Sequence, residues 1–131
     1  MNERNQFPAL IIRVQATFID LFTLFGIGFL ISLFEPSIEV KKIIYTTLFL
    51  LYDPLCVSIL GNTLGHKMLG IVVKKKAQPS ENISFFNALI RFFLKAVLGW
   101  ISLITVSSDS MKRALHDIAA GSIVMFRAKK T

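Results

Sequence analysis

An apolar run from about Leu10 to Phe34, with an aspartate inside it at Asp20, constrains this chain more than any other feature. A helix rises about 1.5 Å per residue, so the run is long enough to cross a hydrocarbon layer roughly 30 Å thick. In that layer backbone polar groups must be satisfied within helices or a closed barrel. The run lacks the period-two alternation of a barrel strand, so it reads as a helix. Glu35-Pro36-Ser37 ends it, and a second apolar run from about Ile43 to Leu60 also reaches spanning length. Asp53-Pro54 lies within that second run, and proline removes a backbone donor, which predicts a kink or an early end. The two runs make a transmembrane helical hairpin. Composition agrees: 53% of residues are hydrophobic and the mean hydropathy is +0.62, too apolar for an ordinary soluble domain of 131 residues.

The remainder is one continuous domain without a recognisable internal repeat or low-complexity linker. The glycine-rich stretch 61–70 reads as a compact connection, and β-branched Ile71-Val72-Val73 as a short strand. From Ser84 to Leu98, Ser84, Asn87, Arg91 and Lys95 recur at helical spacing among phenylalanines and leucines, an amphipathic helix with a narrow polar stripe. Gly99 breaks it before the short apolar stretch 100–106. Ser107-Ser108-Asp109-Ser110 offers caps for a short helix through about Ala120, and 122–126 reads as a second short strand. The fold class is therefore an all-α membrane protein. A two-helix hairpin is joined by an amphipathic interfacial, re-entrant or third transmembrane helix at 84–106, and two short cytoplasmic strands can pair.

Basic residues near span ends set orientation. Arg4 and Arg13 lie on one side of the hairpin with Lys67, Lys74, Lys75 and Lys76, whereas the loop between the spans carries Lys41 and Lys42. This puts the N-terminus and the glycine-rich connection in the cytoplasm. A third true span would export the tail, with Lys112, Arg113, Arg127, Lys129 and Lys130. An interfacial helix, or one that dips in and returns at Gly99, removes the conflict.

The net charge of +7 does not indicate nucleic acid, because the lysines and arginines cluster at the ends of apolar runs. Cys56 is the only cysteine and reads as packing. The first run, interrupted by Arg13 and Asp20 and followed by no small-residue cleavage site, reads as a retained span rather than a signal peptide. His66 and His116 are the only histidines, no thiolate stands near either, and Ser107, Ser108 and Ser110 belong to no visible triad. Neither an enzyme nor a metal or other cofactor is expected.

An acid near the middle of a span costs about 2.5 to 3.5 kcal/mol on insertion scales, so Asp20 needs a partner or water. Arg13 precedes it by two helical turns on the same face, about 10 Å away along the axis, too far for a direct pair without a bridging group. Two readings follow: an ion-pair network that fixes helix packing, or a cation or proton site at Asp20. Asp53 suits a cap or a watered span end. Arg91 and Lys95 suit anionic lipid headgroups if their helix lies flat, or Asp20 and Asp53 if their stripe faces the bundle.

Three groups of residues together resemble the RDD family of bacterial membrane proteins. They are Arg13-x-x-Ala16-x-x-x-Asp20, then Gly61-x-Thr63-x-Gly65 continuing to Gly70-Ile71-x-Val73, and Arg113-Ala114-Leu115-His116-Asp117-x-x-Ala120-Gly121. The resemblance implies that Arg13, Asp20 and Asp117 are the arginine and two aspartates for which the family is named. Asp53, Thr63, His66, Lys67, Arg113 and His116 are expected to support them. Family members usually carry lysine directly after the glycine matching Gly65, where this chain has His66 and then Lys67, so a basic role there becomes displaced or pH-sensitive. The resemblance further implies a tail returning to the cytoplasmic face, where the two strands clamp it against the glycine-rich connection. Two functions remain open: an ion- or proton-coupled transport module using Asp20, and an accessory or scaffold subunit of a membrane complex. The partners expected are the bilayer and a second copy or another membrane protein.

Overall fold

The computed structural model describes residues 6–128, so Arg4, Lys129 and Lys130 lie outside the described residues. Helix α1 runs Leu10–Ser32, and its buried residues are Arg13, Ala16 and Asp20. These three share one helical face, which turns inward. Phe18, Phe22, Phe25 and Phe29 are exposed on the isolated chain, as suits a surface facing hydrocarbon.

Helix α2 runs Ile38–Leu60, with the Ser37 hydroxyl accepting from the Val40 N–H at its start and Gly61 closing it at φ 75°. It begins one turn before the apolar run, because Glu39, Lys41 and Lys42 sit comfortably in an exposed first turn. It also continues through Pro54, so the early end expected at Asp53-Pro54 does not occur. The glycine-rich connection holds a one-turn helix, α3 (Leu64–Met68), followed by strand β1 (Ile71–Lys75). Helix α4 (Phe85–Leu98) has Ser84 as its N-cap. A 3-10 turn (Gly99–Leu103) and α5 (Thr105–Ser108) follow, then α6 (Leu115–Ala119) and β2 (Ser122–Phe126).

Three helical stretches, Leu10–Ser32, Ile38–Leu60 and Phe85–Leu103, are long and apolar enough to cross a membrane. The third bends at Gly99, whose φ of 49° and ψ of −127° interrupt the helix. The chain beyond it turns back: the Ser102 hydroxyl accepts from the His116 N–H at 3.1 Å, and the Thr105 hydroxyl donates to the Arg113 carbonyl at 2.9 Å. The short helix expected from Ser107 starts only at Leu115. Asp109 instead accepts from the Met111 and Arg113 N–H groups and from the Arg113 guanidinium, which holds 109–113 as a turn.

Strands β1 and β2 pair antiparallel with Ile71 opposite Phe126 and Lys75 opposite Ser122, the pairing anticipated from the sequence. Strand β2 therefore lies beside the connection that follows α2. The core lies where this hairpin meets the helices, and joins Ala16, Val57, Ile71, Val73, Ile83, Ala88 and Val124.

The fold also contains a repeat that the sequence reading missed. In each copy a five-residue helix (α3 or α6) is followed by a glycine at positive φ (Gly70 at 69°, Gly121 at 62°) and a five-residue strand. The two copies align without a gap, yet of their residues only Leu64 and Leu115, Gly70 and Gly121, and Val73 and Val124 coincide. Backbone geometry, rather than side chains, carries the similarity.

The register is testable. With Cys56 replaced by Ala, cysteines at Val72 and Met125, which face each other, are expected to form a disulfide on mild oxidation. Cysteines at Val72 and Val124 are expected not to, because adjacent residues of a strand point to opposite faces.

Candidate functional site

The inward face of α1 divides into two polar centres. Asp20 belongs to the first, and its carboxylate takes three donors: the Thr63 hydroxyl at 2.6 Å, the Gly65 N–H at 2.8 Å and the Tyr52 hydroxyl at 2.9 Å. Tyr52 in turn accepts from the Leu64 N–H at 3.1 Å. Asp20 thus binds the start of α3, where backbone N–H groups lack intrahelical partners and carry partial positive charge.

Close approach makes this possible. A Cβ on Gly65 would lie 2.1 Å from the Ala16 carbonyl oxygen, so α3 can rest on α1 only with glycine there. His66 completes the cap, its Nδ1 accepting from the Thr63 N–H at 3.3 Å while the Thr63 hydroxyl accepts from the His66 N–H. Burial pushes the His66 ring down to about 3, and the nearby Arg91 and Lys95 charges act in the same direction. His66 is therefore a neutral capping group and no substitute for a basic residue. Lys67 is exposed and joins neither centre.

The second centre is built around Asp117, which is fully buried. Arg13 Nη1 donates to Asp117 Oδ2, and Arg91 Nε donates to Oδ1 at 3.0 Å. The Ala114 N–H also donates to Oδ2, at 3.1 Å, so the same carboxylate caps α6. Burial alone would raise the Asp117 carboxyl, but Arg13 and Arg91 outweigh it and hold the group well below the usual carboxylate range. The chain of charge extends further. Arg91 Nη1 reaches Asp53 Oδ1 at 3.4 Å, and Lys95 Nζ lies 3.8 Å from Asp53 Oδ2. Arg13 Nη2 donates to the Lys112 carbonyl at 2.6 Å, at a residue with φ of 50°.

His116 borders this centre. Its Nδ1 faces the Ser102 hydroxyl and its Nε2 lies 3.5 Å from Asp117 Oδ1. Burial lowers its pKa to about 3, against the opposing pull of Asp117. Arg113 stands apart in a bidentate pair with Asp109, at 3.0 Å for both contacts, which holds Asp109 down at about 2.

Several expectations are thereby corrected. Among the described residues no side chain bridges Arg13 and Asp20, since Arg13 bonds Asp117 and Lys112 while Asp20 bonds Tyr52, Thr63 and Gly65. Arg91, expected to meet lipid headgroups, is 2% exposed and bonded to two aspartates. Asp53 is neither a cap nor a watered span end, but the anion between Arg91 and Lys95. The carboxylates of Asp53 and Asp117 explain why a polar stripe on an aromatic helix faces the bundle, since a buried charge needs a partner and hydrocarbon offers none. Among the described residues no cluster of His, Cys, Asp or Glu could hold a metal ion.

Two outcomes follow. Gly65→Ala is expected to destabilise the protein by about 2 kcal/mol or more, since the clash falls on backbone rather than on a side chain that can rotate. Thermal unfolding in detergent reads this. Both histidines have folded-state values depressed from about 6.5, so below that pH the unfolded chain binds protons that the folded chain does not. Stability is therefore expected to fall as pH drops from about 6.5 toward 3, by about 2 kcal/mol per histidine at pH 5. His116→Asn should flatten that dependence by its share.

The protein-family model described as the RDD family matches residues 7–121. No curated protein and no solved structure matches the chain. The matched region covers Arg13, Asp20 and Asp117 and both polar centres built around them. The chain belongs to the RDD family.

Proposed function

We propose that this protein is a non-catalytic accessory or scaffold subunit of the bacterial cytoplasmic membrane, with its N-terminus and β-hairpin in the cytoplasm. The observation that supports this reading best is the saturation of its carboxylates. Asp20 takes three neutral donors, and Asp117 takes two arginines and a backbone N–H. A transported cation would have to displace those donors one by one, and the two arginines repel it. Such a network suits a module whose spans must hold one shape while another membrane protein, or a second copy, packs against their exposed apolar faces.

The transport reading has one observation in its favour: Asp20, Tyr52, Asp53 and Lys95 all line a cavity of about 170 Å³. Even there Lys95 already supplies the countercharge to Asp53.

Proteoliposomes distinguish the two. The accessory reading expects no proton or sodium flux above empty vesicles for wild type, and a discrete crosslinked complex in native membranes. Asp20→Asn is expected to cost about 2 kcal/mol, since the new amide donor would face existing donors. Flux in wild type that Asp20→Asn abolishes at unchanged melting temperature would establish transport instead. For orientation, Ala128→Cys in a Cys56→Ala background is expected to resist an impermeant thiol reagent until the cells are opened.

A further inference from the structure

A second cavity, of about 270 Å³, lies between α1 and the α4 turn, and its lining is unusual in charge. Arg13, Arg91 and Lys95 border it together with His66 and His116, while no aspartate or glutamate does. Arg13 and Arg91 are already met from behind, Arg13 by Asp117 and Arg91 by Asp117 and Asp53, so Lys95 is the least compensated of the three basic groups. The rest of its wall is mainly apolar, with Val14, Phe18, Leu21, Trp100 and Leu103.

Lys95 is the charge with most left to offer. Its one described ion pair, with Asp53, spans 3.8 Å, beyond hydrogen-bonding reach, and its side chain is 27% exposed. Among the described residues its ammonium has no hydrogen-bond acceptor, although it carries three donors. Such a group in an apolar setting favours an anionic oxygen.

The lining, basic at one side and apolar at the other, fits an amphiphile. An anionic group held at Lys95 would leave its methylenes against Phe18, Leu21, Trp100 and Leu103. The volume suits a phosphate with part of one chain rather than a whole lipid.

We infer that the cavity is a binding site for the phosphate of an anionic lipid, with Lys95 as its principal ligand and Arg13 and Arg91 as the basic wall behind it. This goes beyond the accessory reading and does not depend on it, since a transporter could hold such a lipid as well. The ligand stabilises the basic wall, and the paired carboxylates of Asp53 and Asp117 keep that wall in place when the site is empty.

Native mass spectrometry of the full chain in detergent, with phosphatidylglycerol and phosphatidylcholine added in equal amounts, tests it. One phosphatidylglycerol per chain is expected to be retained in preference, and inorganic phosphate alone is expected to bind far more weakly. Lys95→Gln should reduce retention about tenfold, the loss of one charge-assisted contact. Leu103→Trp, which fills the apolar end and leaves every charge in place, should reduce it similarly. Melting temperatures of both variants separate lost binding from lost folding. Equal retention of the two lipids, unchanged retention in both folded variants, or saturable phosphate binding without retained lipid would each overturn the assignment.

Discussion

The carboxylate of Asp117 is shared between Arg13 on the first helix and Arg91 on the fourth, and the arrangement of the other elements follows from that sharing. An arginine near the end of a span could reach polar headgroups by extending its side chain. Arg13 and Arg91 do not, since both are buried, and the anion that compensates them comes from the far end of the chain. To deliver it the chain must reverse at Gly99, pass the Asp109 turn and place α6 against the spans. The β1–β2 pairing then closes the tail onto the connection after α2. One buried anion thus sets the path of the last third of the protein.

Asp20 plays the parallel part for the middle of the chain. It holds α3 from α1 by accepting the Gly65 N–H, whereas Asp117 lies within α6, accepts the Ala114 N–H at that helix's start and ties it to the spans through the two arginines. Within the repeat Asp117 takes the place of His66, each accepting the N–H of the residue three before it at the start of its helix. The difference lies in charge. Asp20 is met by neutral donors, whereas Asp117 is met by two guanidinium groups. Breaking a buried pair by removing one partner leaves an uncompensated charge and typically costs about 3 to 5 kcal/mol. The second centre is therefore the more brittle of the two, and the one on which the tail depends.

Much of this was legible in the sequence where a local rule applied. The hydrophobic runs located α1 and α2, Ser84 marked the start of α4, Gly99 its end, and the β-branched residues both strands. Arg13, Ala16 and Asp20 shared a face by helical spacing alone. What could not be read locally was which polar group meets which. The spacing of Arg13 and Asp20 suggested a bridge, but their partners come from Asp117 and Thr63, far along the chain. Arg91 read as a headgroup contact because nothing in its own helix compensates it. The internal repeat was hidden for a similar reason, since its two copies share a backbone path and few side chains. Pro54 misled in the opposite sense, because α2 tolerates a lost donor that a shorter helix would not.

The central claim is that Arg13 and Asp117 act as one coupled unit holding the tail to the spans. A double-mutant cycle with Arg13→Gln and Asp117→Asn, read by denaturant unfolding in detergent, tests it most directly. Each single variant is expected to lose about 3 kcal/mol or more, and the double variant little beyond Asp117→Asn alone, which also gives up Arg91 and the α6 cap. Losses that simply add would contradict it, because the two residues would then be stabilising the protein independently.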